Sequence, residues 1–127
     1  MAAKKAIEPV SNLCKKLSAE ALVLHVSRPS GGQMREQEQI DGEDAIAVLR
    51  GGLTEKGIVV ESLLLFSEDI ARAILDVAEE KQVTVIAVGL TGKNVFARLL
   101  AGNVPVDIIK NTRIPVLLLP PDWNGMI

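Results

Sequence analysis

Residues 83–119 constrain the fold more than any other part of the sequence. They open with a β-branched apolar run, pass through a glycine-containing turn at 89–94 and a helix-like segment holding Gly102-Asn103, and close with an apolar run at 114–119. A strand that turns through glycine into a helix is a usual geometry for holding phosphate, because the backbone can approach the anion and free N–H groups point at it. Lys93, directly after the second glycine of the turn, can add a cation. The stretch therefore predicts a strand–turn–helix–strand unit with an anion site.

Two common phosphate-binding motifs do not fit this stretch. A Walker A loop has four residues between its glycines and a Ser or Thr after its Lys, whereas two residues separate Gly89 from Gly92 and Asn94 follows Lys93. The G-x-G-x-x-G spacing of a dinucleotide-binding fingerprint is also missing. The pattern that remains is Gly89, two residues, Gly92, nine residues and then Gly102-Asn103.

The rest of the chain alternates between helix and strand patterns. Predicted strands cover 21–26, 58–66, 83–89 and 114–119, and predicted helices cover 9–17, about 41–56, the residues after a Ser67 cap, and 94–111. Pro9 is placed in a first helical turn, Gly57 at a helix end, and the polar stretch 27–42 in a loop. Alternation of this kind predicts right-handed crossovers and a parallel sheet. With two Phe, one Trp and no Tyr, the core must be aliphatic, which suits a sheet covered on both faces.

The glycine spacing resembles the nucleotide-binding signature of the universal stress protein family, and the closing Pro115-Val116 run is similar to the family's last strand. The resemblance extends over nearly the whole chain. It implies an α/β fold, with an open parallel sheet covered by helices on both faces, like that of the adenine nucleotide alpha hydrolases. It also implies a cytoplasmic stress-response module that binds ATP, or AMP or ADP, with Mg²⁺. Such a module is a homodimer and a switch rather than an enzyme, with slow ATP hydrolysis at most.

The family's site residues carry over to seven positions of this sequence. Around the phosphates and ribose the resemblance implies Gly89, Gly92, Lys93, Gly102 and Asn103, and near the adenine it implies Val26 and Val104. Each also has a structural alternative. The glycines can simply shape a turn and a kink, Lys93 can be solvated, and the two valines can be core residues.

Other reactive residue types favour structural interpretations. Cys14 is the only cysteine, so no internal disulfide forms, and a small buried residue on a helix is the simpler interpretation. His25 has no second histidine to share a metal, and Glu79-Glu80 fits a solvated helix face. We identify no nucleophile–base arrangement, which disfavours a hydrolase. The net charge of −2, without a basic cluster, disfavours nucleic acid as a partner.

The chain departs from the family pattern at its start. Universal stress proteins begin with one more strand, which is central in the order 3-2-1-4-5 and ends in an Asp that helps to hold nucleotide and metal. Here the first element matches the family's first helix, so residues 1–127 are expected to form a single, N-terminally truncated domain. Unpaired backbone groups at such a gap would cost ~1–3 kcal/mol each. We therefore expect the gap to close or to be filled by another chain, as in a rearranged or intertwined dimer.

A second function hypothesis is an interaction module. Under this hypothesis the chain is a cytosolic dimerisation domain of a membrane transporter, such as a cation antiporter, and it binds no nucleotide. Ile7-Glu8-Pro9 at the start of the first helix is similar to stress-type domains attached to antiporters. The sequence has no run of ~18 apolar residues and no signal-peptide pattern, so we expect the chain to be soluble and cytosolic.

Overall fold

Helices and strands alternate along the described chain. The structure is a computed structural model that describes residues 2–27, 33–89, 104–120, 123 and 125. Its helices are α1 (Ala2–Leu17), α2 (Gln33–Glu55), α3 (Ile70–Glu80) and α4 (Val104–Asn111), and its strands are β1 (Ala21–Ser27), β2 (Val60–Phe66), β3 (Ile86–Gly89) and β4 (Val116–Leu119). The predicted α/β class is therefore confirmed.

All strand pairs of the described residues are parallel, as predicted. β1 pairs with β2 in a register that runs from Ala21 opposite Val60 to Ser27 opposite Phe66. β3 pairs with β4, and Gly89 lies opposite Leu119 at the end of that ladder. The described residues thus form two two-stranded sheets. The further central strand, and its absence from this chain, stay predictions.

The chain divides into two compact units. Unit 1 holds residues 1–68 together with 123–127, and unit 2 holds residues 69–122. In unit 1, α1 packs on α2, and α2 packs on both strands of its sheet. In unit 2, α3 packs on α4, and Ile86 and Ile108 are among the buried side chains.

The core of unit 1 is aliphatic, as the scarcity of aromatic residues predicted. Its centre is formed by Cys14 from α1, Leu53 from α2 and Ile58, and Leu53 has no exposed surface. Partly buried apolar side chains surround this centre: Val10, Ala21, Val23, Leu49 and Val60. One face of β1 therefore packs on the helices, because alternate residues of a strand point to the same side.

Two adjacent glycines of α2 lie in opposite surroundings. A Cβ atom added at Gly52 would lie 2.6 Å from Cγ1 of Ile7 and 2.8 Å from its Cγ2, whereas one added at Gly51 would have no described atom within 4 Å apart from its own stretch of helix. Glycine at position 52 therefore lets α1 approach α2 closely. Gly51 has no such role, although glycine inside a helix is unfavourable.

We expect the two glycine-to-alanine variants to change stability in opposite directions. Gly51→Ala should raise the free energy of unfolding by about 0.5–1 kcal/mol through helix propensity. Gly52→Ala should lower it by about 1–3 kcal/mol, because the whole Ile7 side chain must move. Urea unfolding followed by circular dichroism measures both changes. Equal shifts in the same direction would show that α1 does not pack on Gly52 as described.

Two helices begin earlier than predicted. α1 starts at Ala2, so Pro9 lies inside the helix rather than in its first turn. The good helix formers in residues 2–7, and the packing of Ile7 on Gly52, outweigh the cost of proline. α2 starts at Gln33, which shows that the loop assigned to 27–42 was wrong from residue 33 onward. Residues 33–39 are Gln, Met, Arg and Glu, all strong helix formers.

The cap of α3 was also assigned to the wrong residue. Asp69 caps the helix, because its side chain accepts a hydrogen bond from the backbone N–H of Arg72 at 3.1 Å. The N–H of Ser67 instead donates to the carbonyl of Ser27 at 2.9 Å and extends the contact between β1 and β2. Gly57 ends α2 with a φ of +85°, which confirms the predicted helix end.

Three strands are shorter at their starts than predicted, because helix exits and a turn hold the residues before them. Ile58 donates its N–H to Leu53 at the end of α2, and Val83 donates to Ala78 at the end of α3. Before β4, the Thr112 hydroxyl donates to the carbonyl of Ile114 at 2.7 Å and accepts from its N–H at 2.9 Å. Of the predicted helix over 94–111, the part at 104–111 is confirmed, and 94–103 lies outside the described residues.

Candidate functional site

The carboxyl end of β1 holds two buried residues. Val26 is 8% exposed and Ser27 is 4% exposed. Opposite them in the register lie Leu65 and Phe66, and the Phe66 side chain is 51% exposed. Ligands of α/β proteins bind beyond the carboxyl ends of parallel strands. The predicted site residue Val26 therefore lies at an end of the sheet where a ligand can bind.

The Ser27 hydroxyl at this strand end was missed by the sequence analysis, which assigned residue 27 to a loop. Its Oγ is buried and has no hydrogen-bond partner among the residues that the structure describes. Leaving a buried hydroxyl without a partner costs about 1–3 kcal/mol. The signal in the sequence was present, since Ser27 directly continues the apolar run 21–26 at a strand terminus. It is a polar group beside Val26 that still has capacity for a hydrogen bond.

His25 packs its imidazole against the backbone of α2. A Cβ atom added at Gly42 would lie 2.7 Å from Cε1 of His25 and nearer still to Nε2 and Cδ2. Glycine at position 42 therefore makes room for the ring and lets α2 lie close to β1. This contact supports the structural interpretation of His25. Among the residues that the structure describes, no group of three or more His, Cys, Asp or Glu side chains could hold a metal ion.

The glycine pattern begins at the end of a strand and ends at the start of a helix. Gly89 is the last residue of β3, and Val104, which is half-buried, is the first residue of α4. Pro105 lies in the first turn of α4, where its missing N–H costs no helical hydrogen bond. The buried Ile108 side chain, 1% exposed, anchors the helix.

The start of α4 has the polarity that suits an anion. The first N–H groups of a helix lack partners within the helix, and the helix dipole places partial positive charge there. Asp107 in the first turn is an opposing negative charge, but its side chain is exposed to solvent. An anion at this helix start would therefore be held chiefly by backbone groups.

The structure describes only three of the seven predicted site residues. Gly89 and Val104 belong to unit 2, and Val26 belongs to unit 1. The remaining four residues of the pattern lie outside the described residues: Gly92, Lys93, Gly102 and Asn103. The roles of all seven in binding stay predictions.

The Cys14 thiol is buried, as predicted, and is free of any disulfide. Burial raises the pKa of this thiol above its ordinary value, because a thiolate is poorly solvated inside the protein. Little thiolate is therefore present at neutral pH, and Cys14 is a core residue rather than a nucleophile. Glu79 and Glu80 are both exposed, which confirms the predicted solvated face of α3.

This alternation of helices with parallel strands is the fold of a known class of α/β proteins. The chain belongs to the universal stress protein family, whose model matches residues 1–120. The resemblance drawn from the glycine spacing is thereby confirmed. Of the described residues, no helix is both long and apolar enough to cross a membrane.

One curated relative supports the family assignment, and two solved structures share the fold. The chain is 30% identical to Universal stress protein MJ0531 of Methanocaldococcus jannaschii over 128 residues, which cover 93% of this chain and 72% of the relative. A crystal structure of a universal stress protein in complex with cAMP matches with a TM-score of 0.70 at 15% identity, covering 94% of this chain and 87% of that one. The Archaeoglobus fulgidus universal stress protein in complex with dAMP matches with a TM-score of 0.68 at 19% identity, covering 92% and 86%.

Proposed function

We propose that this chain is a regulatory module that binds ATP or a related adenine nucleotide. The observation that carries the proposal is the position of the glycine pattern. It starts at Gly89, at the carboxyl end of β3, and ends at Asn103, directly before the N-terminus of α4. Structures of the same fold contain cAMP and dAMP, which supports an adenine nucleotide as the ligand.

Each site residue has a distinct role in this proposal. Backbone N–H groups beside Gly92 and Gly102 contact the phosphates, because no side chain there blocks their approach. Lys93 supplies a positive charge, and the Asn103 amide donates a hydrogen bond to a phosphate oxygen. Val26 and Val104 provide apolar surface for the adenine. Mg²⁺ would neutralise part of the triphosphate charge.

The module acts as a switch in this proposal, because binding needs no catalytic group. Two of the described side chains that could act as a nucleophile or base are held by packing: Cys14 lies in the core, and His25 packs on Gly42. Hydrolysis of ATP would then be slow. A cytoplasmic location, which the family resemblance implied, stays a prediction.

Isothermal titration calorimetry of the wild-type chain tests the proposal. With ATP and Mg²⁺, and separately with AMP, we expect a dissociation constant of about 1–100 μM, which is ~−5.5 to −8 kcal/mol of binding free energy. Tripolyphosphate with Mg²⁺ should bind more weakly, because it has no base to contact the valines. Absence of heat with every nucleotide, in a chain shown to be folded, would reject the proposed function.

We further propose that the chain forms a homodimer through β4. Leu117 and Leu118 are each 38% exposed on this strand, which pairs with β3 on one side. Among the described residues no other strand pairs with β4. An apolar strand with an unpaired edge favours pairing with a second copy.

Replacing Leu118 by lysine is therefore expected to yield monomers. Light scattering after size-exclusion chromatography should give twice 13.6 kDa for the wild type and 13.6 kDa for Leu118→Lys. Val59→Lys is the matched control, because Val59 is 64% exposed and belongs to unit 1. A monomeric wild type would contradict the homodimer. A Leu118→Lys variant that remains dimeric would show that the interface is not at β4.

A further inference from the structure

The C-terminal residues Trp123 and Gly125 belong to unit 1, although the strand before them, β4, belongs to unit 2. The chain therefore returns to the unit of its own first helix after Pro120. Trp123 is half-buried and Gly125 is buried. We call Trp123 and Gly125 the tail.

Gly125 lies directly on α1. A Cβ atom added at Gly125 would lie 2.7 Å from Cβ of Asn12, 2.8 Å from the carbonyl oxygen of Pro9 and 2.9 Å from its Cα. Two of these three atoms are helix backbone, which cannot move without disturbing α1. The φ of Gly125 is +86°, a conformation that residues with side chains rarely adopt. Both the close approach and the backbone angle therefore require glycine at this position.

The tail meets α1 at the weakest turn of that helix. Pro9 has no N–H to donate to the carbonyl of residue 5, and a proline inside a helix is strongly destabilising. On the far side of the same helix region, Val10 and Cys14 pack into the core of unit 1. A helix with an internal proline needs tertiary contacts to remain docked, and the tail supplies one at the proline itself.

From this placement we infer that the tail is an intramolecular clasp that holds the proline-containing turn of α1 on the domain. When the clasp is closed, α1 covers the core and shields the Cys14 thiol. When it opens, α1 loosens at Pro9, and Cys14 becomes accessible before the rest of the domain unfolds. The clasp thus couples α1 and the tail in a single conformational device.

The protein contains two intrinsic probes of this device, since Trp123 and Cys14 are the only residues of their types. Trp123 fluorescence reports whether the tail is docked. Reaction of Cys14 with a thiol reagent under native conditions reports how often α1 opens. Neither probe depends on nucleotide binding. The inference about the clasp can therefore be tested separately from the proposed function.

The test compares Gly125→Ala with Gly57→Ala in the full chain. Gly57 has nearly the same backbone angle, with φ of +85°, but a Cβ atom there would have no neighbour within 4 Å. Both variants therefore carry similar backbone strain, and only Gly125→Ala adds the clash with α1. We expect Gly125→Ala to shift Trp123 emission to the red and to increase quenching by acrylamide, with native emission unchanged in Gly57→Ala.

The thiol measurement gives the second readout. Gly125→Ala should raise the native-state rate of Cys14 labelling by about tenfold over wild type, since a forced backbone shift of this kind commonly costs about that factor. A chain ending at Asp122 should show the same increase, and it serves where Gly125→Ala does not fold. Unchanged Cys14 labelling in the folded shortened chain would overturn the inference, as would wild-type Trp123 emission equal to that in urea.

Discussion

Replacing Leu53 by alanine is expected to lower the free energy of unfolding by about 3 kcal/mol. Leu53 has no exposed surface and lies with Cys14 and Ile58 at the centre of the unit 1 core. The substitution removes buried methyl groups and leaves a cavity that the surrounding helices cannot fully close. This is a large part of the stability of a domain of this size, which is about 5–15 kcal/mol.

Urea unfolding, followed by circular dichroism at 222 nm, measures this loss. Leu17→Ala is the matched control, because it makes the same chemical change on α1 at a side chain that is 50% exposed. We expect Leu17→Ala to cost less than about 1 kcal/mol, as surface substitutions commonly do. Similar losses in the two variants would mean that Leu53 is not at the centre of a packed core.

The second large effect is expected at Gly102, whose replacement by valine should weaken ATP binding at least about a hundredfold, or ~2.7 kcal/mol. In the proposed site the phosphate is held by backbone N–H groups at this position, and the branched side chain would separate the backbone from the phosphate. Calorimetry with ATP and Mg²⁺ measures the change, and circular dichroism confirms that the variant is folded.

Gly51→Ala is the control for this substitution. It also replaces a glycine, but one outside the glycine pattern where an added Cβ atom meets no other described part of the chain, so its affinity for ATP should equal that of the wild type. Retention of full affinity in a folded Gly102→Val variant would show that the glycine pattern does not hold the phosphates. If the chain is instead the interaction module of a membrane transporter, Gly102→Val should leave its properties unchanged, because that module binds no nucleotide.

The order and pairing of the elements could be predicted because they depend on local patterns. Apolar β-branched runs mark the strands, and an alternation of strands and helices without hairpin turns leads to parallel pairing. The glycine pattern likewise predicted where β3 ends, since glycine at 89 and polar residues after it interrupt the apolar run. These signals need no knowledge of tertiary contacts.

The features that sequence reasoning missed are those that tertiary contacts decide. Pro9 is a local signal for a helix start, yet the packing of Ile7 on Gly52 extends α1 to Ala2. Asp69 rather than Ser67 caps α3, and the backbone N–H of Ser67 instead donates to the carbonyl of Ser27, a residue distant in the sequence.

The same limit applies to the functional residues. The burial of the Ser27 hydroxyl depends on elements distant in the sequence, and Gly125 contacts α1 across more than one hundred positions of the chain. Glycine at 125 and proline at 9 each have a local interpretation as a turn or a helix start. Only their contact in the folded chain identifies the clasp.

The central proposal is that an adenine nucleotide binds at the residues carried over from the family, chiefly the glycine pattern that starts at Gly89. The most direct test is a titration of the ¹⁵N-labelled chain with ATP and Mg²⁺, followed by two-dimensional amide NMR. We predict saturable shifts at Val26, Gly89 and Val104 and at residues 90–103, with Gly51 and Gly57 unchanged. Spectra that do not change with ATP, or shifts confined to residues away from these positions, would contradict the claim.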